Sequence, residues 1–207
     1  AGSGLDLVTH LDTGGLYRMG HELLPGTYLD LRSTARQKAC IHIEAAGPME
    51  ARVRITTGGK RPTTRRLRLT AGRAALDLRV RAEAGLWRGV VLRFDLAGTF
   101  PEARWAVPAG VQSRSTKPIY KPTFWPCHPW VWPRRADPGP ESSSELGIVV
   151  SHAVGCRVEE SGRVELGVVR GGPLELGDNY GAIGSDTQPA ELGLTLLARP
   201  NAARLAA

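Results

Sequence analysis

The feature that most constrains this chain is a strict alternation of apolar and polar residues in short runs, each closed by glycine or proline. In Ala51-Arg52-Val53-Arg54-Ile55 the apolar side chains fall on one side and the arginines on the other. Arg66-Leu67-Arg68-Leu69 and the run Leu76 to Glu83 repeat the pattern, bounded by Gly58-Gly59, Gly72 and Gly85. A period of two divides side chains between the two faces of a strand, so these runs predict strands with one buried face. A fourth run, Val90 to Leu96, follows the short stretch between Gly85 and Gly89, a spacing that suits a meander or a Greek key.

Leu146 to Val150 and Leu192 to Leu197 predict further strands, and Cys156 to Leu166 predicts a hairpin with Ser161-Gly162 where a tight turn needs positive φ. With 25 glycines and 15 prolines in 207 residues, short strands joined by turns are favoured over long helices. The chain is long enough to bury a real core. We therefore expect an all-β, antiparallel β-sandwich with little helix, built as one domain over residues 1–207.

Between Pro108 and Pro140 prolines interleave with Tyr120, Phe124, Trp125, Trp130 and Trp132. Proline removes a backbone donor, so this stretch predicts an extended segment over residues 108–140, without regular strand, laid over the sandwich. A linker-like loop is expected at 137–145, and a long loop at Gly171 to Gln188.

Arg52, Arg54, Arg66, Arg68, Arg79 and Arg81 all fall on the polar side of consecutive strands. Such a row is either a solvated sheet face or a polyanion-binding surface. Residues 1–140 hold 22 basic and 11 acidic residues, whereas 141–207 hold 5 and 9, so the +7 net charge is concentrated in the first part. The row lacks interleaved aromatics, and no nucleic-acid-binding motif accompanies it, which places nucleic acid behind other partners. The tryptophan-rich segment offers the other candidate. Flat rings of Tyr120, Trp125, Trp130 and Trp132, with His128 and Arg134 to hydrogen-bond hydroxyls, suit a shallow saccharide site. They equally suit burial at a sheet edge or an interdomain seam.

No catalytic constellation is legible. The chain lacks G-x-S-x-G, Walker A, H-E-x-x-H and a helix-opening G-x-G-x-x-G. Its five histidines are scattered, and Cys40, Cys127 and Cys156 are far apart and odd in number, which argues against a disulfide framework and a zinc site. No metal and no cofactor is expected. Asp77, Glu83, Asp95, Glu159 and Glu165 occupy polar strand positions and are expected on exposed sheet surface. No run of 18 apolar residues occurs, so no membrane-spanning helix is expected. Localisation stays open, with a soluble cytoplasmic setting favoured over a secreted one, and a start at Ala1 is compatible with removal of a leader.

Several segments together resemble the C-terminal β-domain of family-38 glycoside hydrolases, the retaining α-mannosidases. Asp12-Thr-Gly-Gly-Leu-Tyr17 is similar to that domain's opening, and Glu44-Ala-Ala-Gly-Pro-Met-Glu-Ala-Arg-Val53 to its following strand pair. Leu76 to Ala82, Leu146-Gly-Ile-Val-Val-Ser-His152 and Val164-Glu-Leu-Gly-Val-Val-Arg170 resemble later strands in the same order. The resemblance implies a supersandwich of the galactose-mutarotase-like kind. It also implies a catalytic domain or partner chain that carries the zinc ligands and nucleophilic aspartate, for which nothing in this sequence stands. The expectation is a non-catalytic accessory domain that binds carbohydrate, packs on a catalytic partner, or both. Polyanion binding by the arginine face and a small carbohydrate-active enzyme with a dispersed site are the alternatives.

Overall fold

The computed structural model describes residues 4–12, 28–85, 88–119, 124–136, 145–171 and 189–198. These residues form fifteen strands and one 3-10 turn, Thr34–Arg36, in two antiparallel sheets. The all-β expectation holds. The smaller sheet runs β10 (Trp125–Cys127), β13 (Val154–Val158), β14 (Arg163–Gly171), β7 (Arg88–Asp95), β1 (Asp6–Asp12) and β2 (Tyr28–Ser33). The larger runs β3 (Ala39–Ala46), β4 (Glu50–Thr57), β5 (Thr63–Thr70), β6 (Ala75–Ala82), β15 (Ala190–Ala198), β12 (Leu146–Val150), β11 (Trp130–Arg134), β8 (Glu102–Val107) and β9 (Gly110–Ser115).

Strands β3 to β6 are neighbours in sequence and in space, the meander that their short glycine-bounded turns permit. The chain then crosses to β7 in the smaller sheet. Alternation decides what meets between the layers. Leu78 and Val80 of β6, Leu192 and Leu194 of β15, and Ile148 and Val150 of β12 face Leu7, Val90, Leu92, Phe94, Val164 and Leu166 across the core. Burying each such side chain contributes about 1.5–3 kcal/mol, which holds the two layers together.

The proline-rich stretch departs from its expected form, because it contains three strands, β9, β10 and β11. Two local circumstances admit proline there. Pro126 lies on β10, the edge strand of the smaller sheet, where a missing donor disrupts no ladder on the open side. Pro133 lies on β11 beyond Val131, the last residue of β11 paired with β12, so it has a strand on one side only. The chain passes from one sheet to the other between β10 and β11, across a cis His128–Pro129 bond. Residues 137–144 of the expected linker and 172–188 of the expected long loop lie outside the described residues.

Six strands cannot cover nine. Core residues of the larger sheet come from β6, β15, β12, β11 and β8, and β3, β4 and β5 extend past the smaller sheet. One cross-strand row shows the effect: Leu78 pairs with Leu67, Leu67 with Val53, and Val53 with Ile43. Along it burial falls from 1% exposed at Leu78, through half-buried Leu67 and Val53, to 64% exposed at Ile43.

Burial also separates the thiols. Cys127 and Cys156 are buried on adjacent strands and Cys40 is exposed. Loss of solvent pushes the Cys156 thiol well above its ordinary value, and neighbouring Cys127 and Glu165 push it the same way. It therefore stays protonated and unreactive where a free thiol begins to ionise. A disulfide-exchange reagent at pH 8 is expected to titrate Cys40 alone in the folded protein, with Cys127 and Cys156 reacting only after denaturation. Rapid labelling of a Cys40→Ser variant without denaturant would contradict this burial.

Candidate functional site on the large sheet

The register of the meander places the arginines. Arg54 stands opposite Arg66, and Arg66 opposite Arg79, while His42 continues that row on β3. In the next row Arg52 faces Arg68, which faces Asp77. Arg81 faces Thr64. Since Leu67, Leu78 and Val80 point to the other layer, all six arginines lie on the outer face of the larger sheet.

Like charges directly opposite one another destabilise a sheet, so the face needs compensation, and carboxylates supply part of it. Glu44, at a bulge in β3, lies 3.3 Å from Arg54 Nε and 3.6 Å from Arg66 Nε. Glu50 lies 3.0 Å from an Arg52 terminal nitrogen and 2.6 Å from Arg68 Nε. Glu191 lies 3.6 Å from Arg79. Asp77 accepts from Arg73 at 3.1 Å and from the Thr195 hydroxyl at 2.8 Å. Six arginines thus share the face with four carboxylates, and these exposed pairs are each worth less than about 1 kcal/mol.

The face is concave. A groove of about 940 Å³ runs across it, with Arg52, Arg66, Arg68 and Arg79 on one flank and Ser151, Gly193 and Thr195 on the other. Gly193 stands opposite Arg79 and keeps the floor low, because a Cβ there would meet the Ser151 side chain at 3.2 Å. Ser151 Oγ accepts from the Gly193 amide at 3.1 Å and is 3.0 Å from His152 Nδ1.

The saccharide candidates are divided between places. Trp130 and Trp132 share the outer face of the larger sheet with the arginines, joined to them through Val149. They are only 5% and 9% exposed, packed with Ala75, Leu197 and Ala106. The Arg134 guanidinium lies 4.2 Å from the Trp132 ring centre and binds Glu145 at 2.9 Å, and Arg104 lies 5.7 Å from the same ring. Trp125 is elsewhere, on the edge of the smaller sheet. It is half-buried under the Arg114 guanidinium at 4.0 Å, beside a cleft of about 260 Å³ that Trp105 and Glu160 also line. His128 is exposed, and Tyr120 lies outside the described residues.

Two features were not legible beforehand. Glu165, expected at the surface, is 0% exposed and held by Arg93 and Arg157. The overhanging strands leave Ile41, Ile43, Met49 and Leu69 exposed, and Leu29 and Leu31 of the edge strand β2 are exposed as well. Among the described residues no cluster of three or more His, Cys, Asp or Glu stands ready for a metal ion. Among the same residues no helix is long and apolar enough to cross a membrane.

No family model matches the chain, and no curated protein matches its sequence. Solved structures do match its fold. A glycosyl hydrolase family 38 protein from Enterococcus faecalis is similar with a TM-score of 0.70 and 12% identity, over 93% of this chain and 26% of that one. An alpha-mannosidase from Enterococcus faecalis V583 is similar with a TM-score of 0.67 and 10% identity, over 95% of this chain and 26% of that one. The chain therefore spans about a quarter of the length of either protein.

Proposed function

We propose that the chain is a non-catalytic accessory β-sandwich domain that packs on a glycoside hydrolase catalytic domain, of the α-mannosidase kind, through the exposed apolar inner face of β3 and the adjoining exposed parts of β4 and β5. The observation that carries this reading is the exposed apolar surface that the short smaller sheet leaves behind. Ile41 and Ile43 are 66% and 64% exposed on strands whose alternation should bury them, and contiguous apolar surface of this sort marks an interface. The fold likeness suggests the occupant, since three quarters of each similar chain lies beyond the part matched here. Packing on a partner is preferred to a tryptophan platform for sugar, because Trp130 and Trp132 are already engaged in packing of their own.

The test is recovery of the chain from its native extract with identification of what accompanies it, repeated with Ile41→Asp and Ile43→Asp combined. A glycoside hydrolase polypeptide, or a glycoside hydrolase domain on the same polypeptide protected from proteolytic separation, is expected with the parent. The double variant, whose changes lie at exposed positions, should stay folded by circular dichroism and lose the association by about tenfold or more, as truncation of interface anchors does. A parent that associates with no glycoside hydrolase, or a variant that associates equally well, would overturn the reading.

A further inference from the structure

We propose that the groove on the outer face of the larger sheet is a binding site for an anionic saccharide, one whose sulfate or carboxylate groups are held by Arg66, Arg68 and Arg79. This is a different surface from the apolar face assigned to partner packing, and either assignment stands without the other.

The charge pattern is the first argument. Stability alone favours opposite charges across neighbouring strands, yet His42, Arg54, Arg66 and Arg79 fall in one row on four successive strands. Among the described residues, Glu44, Glu50 and Glu191 pair with five of the six arginines and Asp77 with a seventh, Arg73, so four carboxylates against seven arginines leave the face cationic. The pairs also orient the cations. Arg66 and Arg68 approach their carboxylates through Nε, the side edge of the guanidinium, and the opposite, terminal edge of such a group has the geometry to take a planar or tetrahedral oxyanion in two parallel hydrogen bonds. Their side chains are 49% and 52% exposed, and Arg79 is 72% exposed.

Shape and lining decide the ligand class. At about 940 Å³ the groove lies near the upper end of the range of about 300–1,000 Å³ for small-molecule sites, large enough for several linked rings. Arginines on neighbouring strands stand about 4.8 Å apart and those two residues along a strand about 6.8 Å apart, a lattice of cations suited to a chain of sugars bearing charge at intervals. The opposite flank carries Ser151 and Thr195, whose hydroxyls pair naturally with sugar hydroxyls. Single-stranded nucleic acid is disfavoured because its bases seek aromatic platforms and, among the described residues, no Phe, Tyr or Trp lines the groove.

The experiment titrates the whole chain with a heparin-derived hexasaccharide by calorimetry at several salt concentrations, with uncharged maltohexaose and an oligothymidylate of similar charge as comparators. Binding of the sulfated hexasaccharide, weaker binding of the oligothymidylate and none of maltohexaose are expected. Arg66→Ala and Arg79→Ala should each weaken binding about fivefold or more and together about thirtyfold, with the salt dependence falling by about one power per arginine removed. Arg114→Ala and Arg163→Ala, which remove the same charge outside the groove, should leave affinity within twofold. Equal loss from all four substitutions would show attraction to net charge alone and overturn the site. Tighter binding of the oligothymidylate, or no binding of the hexasaccharide at low salt, would overturn the ligand class.

Discussion

Replacing Glu165 by alanine is expected to destabilise the protein by about 3–5 kcal/mol, the magnitude found when one partner of a buried ion pair is removed. The side chain is completely buried, and its carboxylate binds two guanidiniums. Oε1 accepts from Arg93 Nε at 2.7 Å, and Oε2 accepts from Arg157 at 3.3 Å. Arg93 is held from its other edge by Asp30, with bonds of 2.7 and 2.9 Å. Burial by itself would lower the Arg93 pKa, but its bonds to Asp30 and Glu165 outweigh that and raise it. A guanidinium does not deprotonate in a protein, so the alanine variant leaves two largely covered cations stripped of the carboxylate they share, with Arg93 relying on Asp30 and Arg157 on Glu159. Glu165→Gln, which keeps the shape and one acceptor, should cost less. Asp95→Ala removes the carboxylate of an exposed pair, 3.1 Å from Arg163, and should change stability by less than about 1 kcal/mol. Urea denaturation checks the series, with the midpoint moving at constant slope. A Glu165→Ala midpoint no lower than that of Asp95→Ala would show that the pair contributes nothing to the fold.

Glu165 also marks where sequence stops informing. The alternation of Val164, Glu165 and Leu166 correctly separates one face of β14 from the other, because the period of two is a property of the strand itself. Whether the outer face is wet depends on what else lies against it, and no local pattern carries that. The same limit explains Ile41 and Ile43. Their side of β3 is legible as apolar, but its exposure follows from six strands opposing nine, a fact of sheet overlap. The runs at 51–55, 66–69 and 76–82 emerge as β4, β5 and β6 because glycine turns bound them and their partners are adjacent in sequence.

The strands of the proline-rich stretch are hidden from the sequence for a related reason. Proline breaks a ladder only where a strand lies on both sides, whereas Pro126 and Pro133 occupy places with a strand on one side only, and edge or unpaired positions are visible only once the sheet order is known. The candidate site was legible as two separate halves. Arginine alternation marked one and tryptophan density the other. That Trp130, Trp132 and the arginines share one face of one sheet arises from pairing of β12 with β15 and of β15 with β6, which joins residues more than a hundred positions apart.

Gly162→Ala is expected to produce the other large loss, about 4 kcal/mol, in the range reached only through a specific structural conflict. The glycine has φ of +90°, in the turn between β13 and β14 that the Ser161-Gly162 pair led us to expect. Positive φ alone costs a residue with a Cβ on the order of 1–3 kcal/mol. Here a Cβ would also sit 2.2 Å from the Leu96 carbonyl oxygen and 3.1 Å from the Phe100 ring. Backbone cannot yield as a side chain tip does. To relieve the contact the turn must withdraw, which breaks the bond from the Leu96 amide to the Gly162 carbonyl at 2.8 Å and strains the one from the Phe100 amide to Glu160 at 2.8 Å. Phe100, 1% exposed, would lose its seat as well. Gly72→Ala separates the two contributions, since its φ is +74° but nothing lies within 4 Å of the added carbon. It should lose only the conformational part, about 1 kcal/mol. If urea midpoints show the two variants equally destabilised, the clash with Leu96 is relieved without loss and the hairpin is not fixed against the end of β7; a loss at Gly162 at least twice that at Gly72 means the turn is clamped there, three residues from the carboxylate that Arg93 and Arg157 share.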